Sequence, residues 1–157
     1  MSNLIDHFES VALENFKFLE TDYSFRLHDQ KKNNYGCCIM YLKDAVGVRV
    51  SLEIYDGGVF VYFYKVTDGK VPEYPLFFDE KSELRVFDFN NLYQLRTGRI
   101  LSQKSNRLYE QKYLEDIVAA FAEAVKNYSD DFLNGDFRFL PQIKEIVARR
   151  AGGTGCV

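Results

Sequence analysis

The chain has 157 residues, of which 46% are apolar and 27% charged, with a net charge of −3; these proportions fit one folded domain with a real core and exclude a disordered polyelectrolyte. The negative balance argues against general nucleic-acid binding, which relies on a basic surface. The opening MSNLIDHFESV lacks a basic start followed by an apolar run, and no stretch is long and apolar enough to span a bilayer, so the expectation is a cytoplasmic protein without a membrane anchor.

In chain order, Leu4, Ile5, Phe8, Val11, Ala12, Phe16 and Leu19 recur at helical spacing, predicting an amphipathic first helix capped by Ser2 or Asn3. Tyr23, Phe25 and Leu27 alternate with Ser24, Arg26 and His28 as a short strand, and Gln30 to Asn34 reads as a polar turn. Tyr35 to Leu42 is apolar on both parities and reads as a central strand. Val46, Val48, Val50, Leu52 and Ile54 then alternate with Gly47, Arg49, Ser51, Glu53 and Tyr55, which is the period-two pattern of a strand with one buried face. Asp56-Gly57-Gly58 supplies a tight hairpin turn, expected to hold two residues, and Val59 to Val66 returns. The pairing places Val50, Leu52 and Ile54 on one face with Val59, Val61 and Phe63.

Thr67 to Pro75 is a loop, Leu84, Val86 and Phe87 suggest one more strand, and Asn90 to Leu95 a short helix. Gly98 to Asn106 is polar and reads as a surface loop. Leu114, Ile117, Val118, Phe121, Val125, Tyr128 and Phe132 mark the inner face of the longest helix, ended by Asn134-Gly135. A last helix starts near Pro141 and buries Ile143, Ile146 and Val147. The expected architecture is α+β: a meander of four to five antiparallel strands packed by the first helix and the long C-terminal helix, as a single domain over 1–150. The glycine-rich tail 151–157 is expected to be disordered.

The motif search returns no H-E-x-x-H, C-x-x-C, phosphate loop, dinucleotide fingerprint or G-x-S-x-G. His7 and His28 read as surface residues, and Cys37, Cys38 and Cys156 as reduced thiols, because neighbours on a strand point to opposite faces. Asp88, between Phe87 and Phe89, reads as a helix cap first and as an acid with a raised pKa second. No catalytic residue, metal ligand or cofactor is assigned.

Two surfaces remain as candidates for partner binding. One is an aromatic row on the second face of the hairpin, Tyr55, Phe60, Tyr62 and Tyr64, since tyrosine and arginine are enriched in interfaces. The other is the acidic outer face of the long helix, Glu115, Asp116 and Glu123, where complementary charge would steer a basic partner.

The run FKFLETDYSFRL with the tyrosine-rich strand pair, and the closing NYSDDFLNGDFRFLPQI, resemble small bacterial proteins similar in layout to immunity proteins of polymorphic or contact-dependent toxin systems. The resemblance implies a cytoplasmic protein that binds and neutralises a cognate toxin without catalysis, and it transfers no binding residues. Two rival readings stand beside it: a small-ligand protein or enzyme holding an anion through Arg96 or Arg99 near Asp88, and a self-associating subunit with the aromatic row as its interface.

Overall fold

The computed structural model describes residues 2–73 and 81–155. Helix α1 (Ser2–Asn15) and the short α2 (Phe18–Thr21) lead into strands β1 (Arg26–Asn33), β2 (Gly36–Lys43), β3 (Val46–Glu53), β4 (Gly58–Lys65) and β5 (Val86–Asp88). Helices α3 (Phe89–Thr97), α4 (Gln111–Tyr128), α5 (Asp130–Leu133) and α6 (Leu140–Gly155) follow. The strands form one antiparallel sheet in the order β1-β2-β3-β4-β5, so the fold is the α+β meander that the alternation implies.

The β3–β4 register pairs Val48 with Phe63, Val50 with Val61 and Leu52 with Val59, all buried. Ile39 and Tyr41 of β2 extend this face, and Leu4, Ile5 and Phe8 of α1 pack with it in the main core. From α4, Leu114, Val118, Phe121 and Val125 complete that core, at roughly 1.5–3 kcal/mol for each large side chain before entropy is counted. The high phenylalanine content is spent largely here. Phe63 stacks on Phe132 with centroids 4.7 Å apart, and Phe87, Phe89 and Phe139 surround the pair.

Several boundaries differ from the sequence expectation, each for a physical reason. β1 runs through the polar stretch to Asn33 because it is an edge strand whose side chains are mostly exposed; the turn is Asn34-Tyr35. A bulge between Leu27 and Asp29 and the charges of Lys31 and Lys32 make that edge a poor template for further strands. The β3–β4 loop holds Ile54 to Gly57, not two residues, and the strand ends at Glu53. Gly57 sits at φ +67°, and a Cβ there would lie 2.7 Å from the Ser105 side chain, so two constraints require glycine.

The long helix stops at Tyr128, and Ser129, at φ −125° and ψ 13°, separates it from α5. Helix α6 carries through to Gly155, so the stretch 151–155 expected as disordered tail is assigned to a helix, while Cys156 and Val157 lie outside the described residues. Residues 76–80 of the weakly patterned stretch also lie outside them. No helix among the described residues is long and apolar enough to cross a membrane.

Candidate partner-binding surface

The meander's second face is organised in rows across the strands. Cys38, Ser51 and Phe60 form one row, and Met40, Arg49, Tyr62 and Asp88 the next. Leu42, Gly47, Tyr64 and Val86 form a third. A small cluster of Leu42, Tyr64, Val66 and Val86, with Met40, Tyr62 and Val71 against it, packs here, and among the described residues no helix contributes to it.

This cluster corrects the aromatic row. Tyr64 is 2% exposed, wedged between Leu42 and Val86, because the chain after β4 brings Val66 and Val71 back over it. It packs as a core residue and offers almost no surface to a partner. Phe60 and Tyr62 are half-buried and stack on each other at 6.0 Å. The Arg49 guanidinium lies 4.4 Å from the Tyr62 ring and 5.7 Å from that of Tyr64, a cation–π arrangement that points its charge away from the β3–β4 turn.

Tyr55 belongs to the turn and not to the strand, and it is 83% exposed. Its ring stacks on that of Tyr35, itself 57% exposed, at 5.1 Å and 26°. The Ile54 N–H donates to the Tyr35 carbonyl at 3.0 Å, and the Tyr35 N–H donates to Asn33 Oδ1 at 2.7 Å. Two turns are thereby tied into one projecting tip. Tyr35 was read from sequence only as the start of a strand. The clue available was two turns, each with a tyrosine, at matching ends of adjacent hairpins.

The tip is braced from behind by the segment after α3. Gln103 accepts from the Val59 N–H at 2.8 Å and donates to the Val59 carbonyl at 2.9 Å, replacing β5 where that short strand has ended. Asn90 holds the same segment by an equivalent pair of bonds to the Leu101 backbone.

Electrostatics at the tip are acidic. Burial pushes the Glu53 carboxyl above its ordinary range; Arg49 pulls it down and the neighbouring Asp56 pushes it up again. Ser51, two pairs inward, is 3% exposed and its hydroxyl has no hydrogen-bond partner among the described residues. Burial also raises the Asp88 carboxyl, which accepts from the Asn90 N–H at 2.8 Å and so caps α3, as its position before that helix suggests.

The α4 acids form a separate surface. Glu115 lies 3.8 Å from His7 Nε2, Asp116 is paired with Lys112 at 3.0 Å, and Glu123 is exposed. All three sit on the helix layer, with α4 and the sheet between them and the outer rings of Phe60 and Tyr62. The structure therefore does not bring the aromatic row and the acids into one site.

Arg96 donates from both terminal nitrogens to Asp131, at 2.9 and 2.5 Å, and to the Tyr128 carbonyl. It is a brace between helices and is not joined to Asp88. An open depression of about 300 Å³ beside it is lined by Asp131, Asp136, Arg138, Phe139 and Gln142, and each of its aspartates is paired with an arginine. Cys37 is buried, with its thiol pushed up to about 12 by burial, and Cys38 is half-buried with its thiol also raised, so neither resembles an activated thiolate. Among the described residues no group of three or more His, Cys, Asp or Glu is placed to hold a metal ion.

Comparison with protein-family models, curated proteins and solved structures gives no match to this chain.

Proposed function

We propose that this chain is a non-enzymatic protein-binding module and that the tip of the sheet, Tyr35 and Tyr55 with the adjoining Phe60 and Tyr62, is its contact surface. The observation that carries this reading is the stacked, exposed tyrosine pair. Two rings held together in water by tied turns are already ordered, so a partner that covers them gains apolar burial at little entropic cost. The layout resemblance extends the reading: the partner is a bacterial toxin domain that this protein neutralises within the cytoplasm.

The test is capture of partners by the tagged full chain from its host, followed by the same experiment with Tyr55→Ala and with Glu123→Gln. One stoichiometric protein, lost with the first variant and kept with the second, is the expected outcome. A partner kept by Tyr55→Ala, or a chain that returns alone, overturns the reading. For the toxin step, the captured protein should be tolerated in a naive host only when the wild-type chain is co-expressed.

A further inference from the structure

We infer that the tip accepts an arginine side chain of its protein partner, with the guanidinium laid on the Tyr35–Tyr55 stack and its donors turned toward Glu53 and Asp56. This deepens the protein-binding reading above and rests on it.

Three observations converge on that chemistry. First, the two stacked rings are each more than half exposed, and a ring face attracts cations. Second, Glu53 closes β3 and Asp56 lies in the same turn as Tyr55, and the two carboxyls act on each other, so negative charge gathers at this turn.

Third, the nearest cations make their close contacts away from the tyrosine pair. Arg49 is held over Tyr62 and Tyr64 and acts on Glu53 only through its field, and Lys32 is drawn to Asp6 and Glu9 of α1 at 2.8 and 3.0 Å. Arg107 is paired with Glu110 at 3.0 Å and lies over the Tyr113 ring.

Arginine fits better than lysine. Its guanidinium is flat, stacks on an aromatic face while keeping its in-plane donors free, and loses less hydration than an ammonium. A carboxylate-bearing partner would instead meet Glu53 and Asp56 as like charges. The chain's net charge of −3 points the same way at long range.

The probe is N-acetyl-arginine methylamide, titrated into the full ¹⁵N-labelled chain at low salt, with the neutral isostere N-acetyl-citrulline methylamide as control. The expected result is saturable shifts of the Tyr35, Tyr55, Asp56 and Gly57 amides with arginine and not with citrulline. Tyr55→Ala and Asp56→Asn should each weaken binding about threefold or more, the size of one exposed cation–π or ionic contact. Both positions lie in the turn, and unchanged spectra elsewhere show that the fold is intact.

Equal shifts with citrulline, shifts centred on Glu115 to Glu123, or binding unchanged in both variants would each overturn the inference. Its failure is distinguishable from that of the protein-binding reading. If a partner is captured and lost with Tyr55→Ala while arginine does not bind, the module stands and the basic contact falls. If arginine binds and no partner is captured, the site stands and the function must be sought elsewhere.

Discussion

The Arg96 guanidinium bridges Asp131 and the Tyr128 carbonyl, and so ties α3 to the α4–α5 junction. Burial pushes the Asp131 carboxyl up, but hydrogen bonds from Arg96 and from the Phe132 N–H outweigh it and leave the group below its ordinary value of 3.8. A depressed native pKa stabilises the fold above the unfolded value and is lost as pH falls through the native one. Wild type should therefore lose stability relative to Asp131→Asn as pH drops below about 4, by about 1 kcal/mol at most, because both side chains are partly solvated. Urea melts across that range check it, and parallel curves for the two proteins would show that the pair contributes nothing. Tyr64 makes a second point at this scale. Sequence parity alone places it with Tyr62, yet the return of Val66 and Val71 buries it, so Tyr64→Ala should cost about 3 kcal/mol in a thermal melt, as for other large aromatic truncations. Loss of partner binding without loss of stability in that variant would contradict its placement in the core.

Among the elements, the β3–β4 hairpin was legible in its strands and its two faces because the alternation fixes parity, but the four-residue turn Ile54 to Gly57 pairs Glu53 with Gly58 and so moves the register away from the one a two-residue turn would give. The polar extension of β1 was not, since an edge strand exposed along its length has no buried face to impose a period. The least legible support is Gln103. Read as part of a polar loop, it in fact satisfies both the N–H and the carbonyl of Val59, acting as a one-residue strand on the β4 edge. Such amide-to-backbone pairing leaves no periodicity in sequence. Gln103→Ala leaves two backbone groups unsatisfied in a partly buried place and should cost about 1–3 kcal/mol. Hydrogen exchange at the Val59 amide should accelerate more than at Val61, whose position is inside the ladder; equal acceleration at both would mean that Gln103 stabilises the whole sheet and not its tip. Phe121→Ala, by contrast, opens a cavity under α4 and should lower global stability by about 3–5 kcal/mol.

At the scale of the whole molecule, all the long helices pack on one face of the sheet, and this decides how many partner surfaces there are. Sequence reasoning could pick out Tyr55, Phe60 and Tyr62 on one side and Glu115, Asp116 and Glu123 on another element, but it could not say that a helix layer separates them. A standard interface takes about 800 Å² from each partner, under a tenth of the 9110 Å² accessible here, so one compact partner on the tip does not also cover Glu123, two turns along α4 from Glu115. The two sets should then act on different rate constants. Tyr55→Ala removes a buried contact and should raise the dissociation rate about tenfold or more, as anchor truncations do. Glu123→Lys changes only the long-range field, so it should lower the association rate about twofold at low salt and leave dissociation unchanged. Binding kinetics of the captured partner at two salt concentrations separate these effects. If Glu123→Lys accelerates dissociation while Tyr55→Ala does not, the contact surface is the outer face of α4, and the tyrosine pair serves only to hold two turns together.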